Sequence, residues 1–264
     1  MIPDPVAYQA RYPSAAGPEP FPESGAVRIV RPTFVVLVTP MPTVTFVEAL
    51  TMDPASVGAA VSEVRALVHE HGRTQAAWNV PAASPLCAAL TDAGLTPYTD
   101  PPLGPSSMAM ALVTPPRGTA GSDVVVRECE TVEDYVATGE LAADVFDMTG
   151  EDRAGMVDSL RRRHEARRTG RTNMRTYLAY VDGELVGEAQ SSELAAATNL
   201  SGSSVLPSAR GRGVYRAFVA ARWESAVARG VPALTVQAGE MSAPILARLG
   251  FETVDEMSLL CDRF

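Results

Sequence analysis

One short stretch, "VLPSARGRGVYRAFV" over residues 205–219, has residue types and a spacing that could bind an anion. Gly211 and Gly213 carry no side chain at the points where the backbone would have to curl around such a ligand. A helix that begins at about Gly213 would add unpaired N–H groups and the positive end of its dipole. Three arginines in the stretch can contact phosphate oxygens: Arg210, Arg212 and Arg216. The stretch therefore predicts a pyrophosphate-binding loop, and the alternative interpretation is a basic, flexible loop.

The residues before the loop support the first interpretation. A strand is predicted at about 198–205, and Pro207 follows it. Because proline cannot donate to a strand ladder, pairing should end there. The neighbouring strands could then separate and leave backbone groups free for a ligand.

Periodicity places this loop in a mixed α/β unit. The turn Asp182–Gly183 is typical of a two-residue β-hairpin connection. The other elements predicted in this half are a strand "DVVVREC", helices near 131–148 and 151–168, a helix at 213–229, a strand "ALTVQA", a short helix "SAPILARLG" and a last strand pair near 251–262.

Three regions are predicted along the chain. Residues 1–25 are rich in proline and indicate an extended N-terminal arm. Residues 26–114 contain strands and helices of their own, and the Pro/Gly/Ser-rich segment 114–123 marks a boundary. The remaining region, 122–264, carries the loop.

The two larger regions share a faint repeat. Val80 ends a predicted strand and Gly94 closes the next helix; Val236 and Gly250 do the same, each pair 14 residues apart. In the first copy, "LTMDPASVGAAV" lacks the arginine and the paired glycines. We therefore predict two related halves, of which the first is degenerate.

At this point the chain resembles the GNAT acyltransferase superfamily, whose loop reads [Q/R]-x-x-G-x-[G/A] after a strand ending V-x-P. Arg210 matches the first position and Gly213 the glycine, whereas Tyr215 stands at the last, usually small, position. The closing "ARLGFETV" extends the match, with Leu246 where the family often has a tyrosine. The resemblance covers residues 122–264 well and 26–114 weakly.

The resemblance implies a GNAT acyl-CoA N-acyltransferase fold, an α/β fold with a mixed sheet, in two GNAT-like halves. It implies transfer of an acetyl group from acetyl-CoA, a co-substrate, to a small-molecule amine. Backbone groups of Val205 and Leu206 would contact the thioester and the pantetheine, and the N–H groups from Gly211 to Tyr215 would cradle the pyrophosphate. The coenzyme-binding residues expected on this basis are Val205, Leu206, Pro207, Arg210, Gly211, Arg212, Gly213, Val214, Tyr215 and Arg216.

Amine attack on a thioester requires a group that removes a proton. Family members often use a glutamate near the strand before the loop, but "TNLSGSSV" contains none. The candidates are Glu188 and Glu193 on the preceding strand, and Asp147 in the helix–helix loop "FDMTGED". A solvated surface charge is the alternative for each of these three carboxylates. For the run "RRRHEARR" at 161–168, we predict a solvated helix face. With Leu246 in place of the tyrosine that often protonates the departing thiolate, water would have to supply that proton.

Two other functions stay open. A variant within the enzyme class is a tandem-GNAT thiol-cofactor synthase-like acetyltransferase. A protein that binds acyl-CoA as a sensor or scaffold, without catalysis, is a different class, favoured by the missing tyrosine and the missing strand glutamate.

The amino-acid composition indicates which partners and which cellular compartment to expect. The net charge of -9 argues against general affinity for nucleic acid or anionic membranes. No apolar run approaches the ~20 residues that span a bilayer. All 22 basic residues are arginine, a bias typical of high-GC bacteria. The cysteines 87, 129 and 261 lack metal-ligand spacing and indicate free thiols in a reducing compartment. We therefore expect a bacterial, cytoplasmic protein without a metal, and a homodimer is compatible with the sequence.

Overall fold

The computed structural model describes residues 1–40, 45–100, 103–118, 123–145 and 150–264. The chain forms two compact units. The first comprises Met1–Ala111, Val236–Ala247 and Glu252–Phe264, and the second comprises Leu112–Thr235 and Arg248–Phe251. The first break lies close to the predicted boundary segment, but two C-terminal segments fold with the first unit. The division into 26–114 and 122–264 remains a prediction about related halves.

The elements follow in chain order. The helices are α1 (Asp4–Arg11), α2 (Pro13–Ala16), α3 (Val57–Glu70), α4 (Pro85–Asp92), α5 (Val132–Val145), α6 (Gly150–Arg168), α7 (Val214–Ala228) and α8 (Ala243–Leu249). The strands are β1 (Val27–Val30), β2 (Phe34–Val38), β3 (Thr45–Ala49), β4 (Gln75–Pro81), β5 (Thr96–Pro97), β6 (Ser106–Leu112), β7 (Val124–Glu128), β8 (Met174–Val181), β9 (Glu184–Glu193), β10 (Thr198–Val205), β11 (Leu234–Ala238) and β12 (Glu252–Arg263). This is the mixed α/β fold expected from the sequence.

In the first unit, strands follow the order β1-β2-β3-β4-β12-β6, and β5 pairs with β12. All pairs are antiparallel except β3 with β4. The core packs α3 and α4 on this sheet around Trp78, which is fully buried. Valines at helical spacing in α3 (Val57, Val61, Val64 and Val68) supply the other side of this core, as the sequence predicted.

In the second unit, the order is β7-β8-β9-β10, antiparallel throughout, and β10 pairs in parallel with Leu234 and Thr235, the first two residues of β11. The remaining residues of β11 belong to the first unit. Alternate residues of β8 point to opposite faces of this sheet. Tyr177 packs with Phe218 of α7, whereas Leu178 packs with Tyr135 of α5 and Leu160 of α6. Helix α7 therefore covers one face, and α5 and α6 cover the other.

Most predicted elements of this unit are confirmed. Helix α7 falls within the predicted 213–229, and the hairpin turn has positive φ at Asp182 (54°) and Gly183 (82°), as a type I′ turn requires. The predicted last strand pair is wrong, because 252–263 is one strand, β12. The pairing of β12 with β6 shifts register between Thr253 and Asp255. The chain therefore has a local irregularity of the strand at this point, where the sequence predicted two separate strands.

The prediction of an extended arm over 1–25 is also wrong, because α1 and α2 occupy much of it. Proline is favoured in the first turn of a helix, and Pro5 lies there in α1 while Val6 and Ala10 are buried. No helix in the described ranges is long and apolar enough to cross a membrane.

A buried carboxylate on β3 anchors this N-terminal segment. Glu48 accepts hydrogen bonds from the backbone N–H groups of Ser14 (2.9 Å) and Ala15 (2.7 Å), and Arg28 donates to the carbonyl oxygens of the same two residues. Burial raises the pKa of Glu48 to about 7, although these N–H groups and Arg28 favour the charged form. Glu48 therefore keeps its proton in the folded protein over a pH range in which the unfolded chain loses it.

This difference predicts a pH-dependent stability. The pKa of glutamate in an unfolded chain is about 4.3. The contribution of Glu48 to the free energy of unfolding is therefore complete below that pH and is lost as the pH rises to about 7. The free energy of unfolding of the wild type, minus that of Glu48→Gln, should fall by about 3 kcal/mol over this interval. Urea denaturation at several pH values measures it. A difference independent of pH would show that Glu48 titrates normally.

Candidate functional site

The strand before the loop has one largely open edge. In the second unit, β10 pairs with β11 only at Thr198↔Leu234 and Asn199↔Thr235, whereas it pairs with β9 through to Val205. Beyond Asn199, no described residue of this unit extends the ladder on the β11 side. Ser203 is accordingly exposed although it lies within a strand. Backbone groups on this edge can therefore pair with an extended ligand.

A bulge interrupts β10 at this open edge. The register with β9 shifts between Ser201 and Ser203, and Gly202 between them has φ of 46°. A Cβ on Gly202 would lie 3.7 Å from the side-chain amide carbon of Gln190 on β9. Bulges are common beside active sites, because they re-aim backbone and side-chain groups.

Only part of the predicted strand-end contact is available. The N–H of Leu206 donates to Val186 O (2.9 Å), and its carbonyl accepts from the N–H of Ala209 (2.9 Å). The N–H of Leu206 is therefore paired within the protein, and a ligand contact with this backbone would use the second lone pair of the carbonyl oxygen. That contact stays a prediction. N–H groups of successive strand residues point to opposite edges, so the N–H of Val205 points to the open edge.

After the strand, the loop leaves a row of backbone donors unpaired. Pro207–Ala209 form a 3₁₀ turn, and Gly211 and Gly213 follow with φ of 82° and 85°. Helix α7 starts directly after Gly213 without a side-chain cap. Within the described chain, the N–H groups of Gly211, Gly213, Val214 and Tyr215 donate to no protein acceptor. We call these four groups the amide cradle.

The chain enters α3 of the first unit in a different way. A 3₁₀ turn, Pro54–Ser56, precedes that helix, and the carboxylate of Asp53 accepts from the N–H of Ala55 in this turn at 2.9 Å. Ser56, the residue before α3, makes no side-chain capping hydrogen bond. The turn contains no glycine, and Pro54 removes one donor from it. The two glycines with positive φ therefore distinguish the loop before α7 from the turn before α3.

The arginines of the loop differ in their surroundings. Arg212 forms ion pairs with Asp123 and with Asp182 (3.1 Å), so its guanidinium braces the loop against the protein. Arg210 is exposed, and Arg216 lies beside Gly118. We conclude that the amide cradle, rather than Arg212, is the part of the loop open to an anion.

Tyr215, which departs from the family pattern, is half-buried on the first turn of α7. Burial raises the pKa of its phenol, and the charge of Arg222 acts in the opposite direction. The phenol therefore lies toward the buried side of α7, near Arg222. The N–H of Tyr215 stays part of the cradle.

Arg222 of α7 holds the strands at the bulge. It is fully buried, and its Nη1 donates to Gln190 O (3.0 Å) and Ser203 Oγ (3.4 Å) while its Nε donates to Phe218 O (3.0 Å). Burial lowers the pKa of Arg222. The guanidinium thus ties β9, β10 and α7 together, and no sequence motif marked it.

Glu188 lies on the other face of the same strands. It pairs with Ser204 of β10 and is only 3% exposed. Burial raises its pKa, and hydrogen bonding by Ser204 and Gln190 and the charges of Arg163 and Arg222 oppose that rise. Its Oε2 has no hydrogen-bond partner among the described residues. A buried carboxylate with a free oxygen and a raised pKa is suited to accept a proton.

The other two predicted carboxylates are placed differently. Glu193 forms ion pairs with Arg175 (2.6 Å) and Arg229 (3.8 Å), and it lies opposite Thr198, away from the bulge. Its surroundings are those of a structural ion pair. Asp147 lies outside the described residues. The structure thus brings Glu188, and not Glu193, to the bulge.

The prediction that residues 161–168 form a solvated helix face is correct for only some of its arginines. Arg161, Arg162 and Arg168 are exposed, but Arg163 is half-buried and donates through Nη1 to the side-chain oxygen of Gln190 at 2.6 Å. Arg167 reaches Glu128 at 3.2 Å. A charge run does not reveal which of its members turns toward the sheet.

Two of the three free cysteines are unsuited to act as nucleophiles. Burial raises the pKa of Cys129 to about 12 and also raises that of Cys261. These two thiols stay protonated at neutral pH. No group of three His, Cys, Asp or Glu side chains in the described part of the chain could hold a metal ion.

The role of Arg222 is testable through stability. Arg222→Ala should lower the free energy of unfolding by about 3 kcal/mol, because it leaves a cavity and an unpaired carbonyl at Gln190. Arg161→Ala, at an exposed position of α6, should change it by less than about 0.5 kcal/mol. Urea denaturation compares the two, and equal effects would show that Arg222 does not hold the bulge.

The fold is shared with solved acetyltransferase structures. A GCN5-related N-acetyltransferase from Kribbella flavida aligns with a TM-score of 0.66 and 18% identity, over 97% of this chain and 95% of its own. A GCN5-related N-acetyltransferase from Sphaerobacter thermophilus aligns with a TM-score of 0.64 and 17% identity, over 90% of this chain and 80% of its own. A tandem GNAT protein from the clavulanic acid biosynthesis pathway aligns with a TM-score of 0.61 and 19% identity, over 98% of this chain and 94% of its own.

No protein-family model and no curated protein sequence matches this chain. The structural likeness nevertheless extends over 80% or more of the length of each of these three proteins. The chain therefore has the fold of these GCN5-related N-acetyltransferases.

Proposed function

We propose that the protein transfers an acetyl group from acetyl-CoA to the amine of a small molecule. The amide cradle carries this proposal. Backbone N–H groups are obligatory donors, and leaving four of them unpaired at a helix start is costly unless water or a ligand accepts from them. A diphosphate, with its negative charge and many acceptor oxygens, matches such a site.

The open edge of β10 could bind the pantetheine part of the coenzyme. A pantetheine arm is extended and carries amides, so it can pair with strand backbone that lacks a neighbour. Its thioester would then lie near the bulge at Gly202, where the N–H of Val205 points to the same edge. A hydrogen bond to the thioester carbonyl would stabilise the negative charge that develops on its oxygen.

The chemical step needs one base and one proton donor. The amine nitrogen attacks the thioester carbon, a C–N bond forms, and the C–S bond breaks with its electron pair going to sulfur. Glu188 accepts the proton that the nitrogen loses. Leu246, at the position of the family's usual tyrosine, is fully buried and has no proton to give, so water protonates the thiolate.

The cradle can be tested with a matched pair of glycines. Gly211 and Gly230 both have positive φ, 82° and 78°, and a Cβ at either would meet nothing within 4 Å. Aspartate should strain both positions alike, but only at Gly211 does its charge face the cradle. Gly211→Asp should therefore raise the Kd of acetyl-CoA at least about tenfold, and Gly230→Asp should leave it unchanged.

Isothermal titration calorimetry measures these affinities. Unchanged binding by Gly211→Asp would place the coenzyme elsewhere. Thiol release from acetyl-CoA across a panel of amines separates an enzyme from a sensor. Tight binding without release from any amine would identify a non-catalytic acyl-CoA-binding protein.

Glu188 can be tested against the other strand glutamate. Glu188→Gln should lower kcat about hundredfold without changing the affinity for acetyl-CoA, because only proton acceptance is lost. Since burial raises the pKa of Glu188, the wild-type rate should fall on the acid side from a pH above the ordinary glutamate range. This acid limb should be absent in Glu188→Gln.

Glu193→Gln is the matched control. It removes a carboxylate from an ion pair, so it should reduce stability and leave kcat near that of the wild type. If Glu193→Gln rather than Glu188→Gln abolished the acid limb, the assignment of the base would be wrong.

A further inference from the structure

We infer that the acceptor is an amino acid or a close analogue, whose carboxylate binds Arg163 while its amine faces Glu188. This inference rests on the proposed function and adds the class of acceptor. It assigns to Arg163, a member of the charge run on α6, a role in recognising the substrate.

The surroundings of Arg163 point to a missing anion. It is half-buried, and its single hydrogen bond to the described chain goes to a neutral amide, Gln190 Oε1. The other half-buried arginines of α6 have carboxylate partners: Arg153 pairs with Glu140 and Asp144, and Arg167 with Glu128. Among described residues, no carboxylate lies within salt-bridge distance of Arg163. Desolvated cations are normally paired, so an external carboxylate would complete this site.

Guanidinium geometry suits that ligand. One Nη of Arg163 is held by Gln190, which leaves its Nε and second Nη without a protein acceptor in the described chain. These two donors form one edge of the planar group, and such an edge binds a carboxylate through two parallel hydrogen bonds. The charge of Glu188 acts on Arg163 without a direct ion pair, so the guanidinium edge is free for a carboxylate of the ligand.

The adjoining surface is lined with unsatisfied polar atoms. Thr176, Gln190 and Ser201 lie opposite one another on β8, β9 and β10 and thus share a sheet face with Glu188. On this face, Glu188 Oε2 and Ser201 Oγ are buried without a hydrogen-bond partner in the described residues. Thr176 Oγ1 and Tyr135 Oη of α5 are buried beside them, and the contact between these two side chains is the one hydrogen bond that acts on the tyrosine. Buried polar atoms are nearly always hydrogen-bonded, so several together indicate a place for a polar ligand or water.

The spacing limits the length of the acceptor. Gln190 contacts Arg163 and also, through hydrogen bonding, lowers the pKa of Glu188. A single side-chain amide therefore separates the guanidinium from the carboxylate. An amine and a carboxylate that bind these two groups must be only a few bonds apart, as in an α- or β-amino acid.

Matched pairs of acceptors test the inference. Thiol release from acetyl-CoA would be measured with L-alanine and ethylamine, L-phenylalanine and 2-phenylethylamine, and L-arginine and agmatine. At least one amino acid should show a kcat/KM about tenfold or more above that of its decarboxylated partner. Arg163→Gln should remove this preference by raising KM for the amino acid, with kcat and the affinity for acetyl-CoA little changed.

The controls separate recognition from structure. Arg163→Lys should restore part of the preference for the amino acid over its decarboxylated partner. Lysine keeps the positive charge but lacks the paired N–H donors of the planar guanidinium. Arg162→Gln, at the exposed neighbouring position, should behave as the wild type. If Arg163 only oriented Gln190, Arg163→Gln would slow ethylamine and L-alanine equally, and the inference would be wrong.

The outcomes also distinguish the two proposals. Turnover of amines without preference for any amino acid overturns this inference and leaves the proposed function standing. Absence of thiol release with every amino acid and amine, or absence of acetyl-CoA binding by calorimetry, overturns the proposed function and this inference with it.

Discussion

The proposed coenzyme site depends on a set of backbone N–H donors that have no acceptor in the described part of the chain. At the start of α7, two glycines are in the left-handed region, and four N–H groups there have no capping side chain. The 3₁₀ turn before α3, in contrast, is capped by the carboxylate of Asp53. A glycine in place of a capping side chain lowers the stability of a helix by roughly a few tenths of a kcal/mol. We interpret that loss as the condition for binding an anion there.

The packing of α7 fixes where these donors lie. A Cβ at Gly187 of β9 would stand 2.9 Å from Ser204 O and 3.1 Å from the ring of Phe218, so only glycine allows α7 to approach this closely. Arg222 then joins the helix to both strands at the bulge. These contacts bring the cradle to the end of β10, with the bulge on its open edge and Glu188 on the opposite face. The proposed site is thus a consequence of how one helix packs on one strand pair.

The sequence predicts local features well and distant partners poorly. The turn at Asp182–Gly183, the order of elements from β7 to α8 and the glycine loop all depend on residues close in sequence, and each is found in the structure. Arg222 and Arg163 bind groups of Gln190, 32 and 27 residues away, and nothing near them in sequence indicates that contact. The helical N-terminus was missed for a similar reason, because its anchor, Glu48, lies more than thirty residues along the chain.

The most direct test observes the donors themselves. Hydrogen exchange of the backbone amides, measured with and without saturating acetyl-CoA, reports whether each N–H gains an acceptor. We predict slower exchange at Gly211, Gly213, Val214 and Tyr215 when the coenzyme is bound. If the coenzyme saturates the protein and these four amides still exchange at their free rates, the account is contradicted.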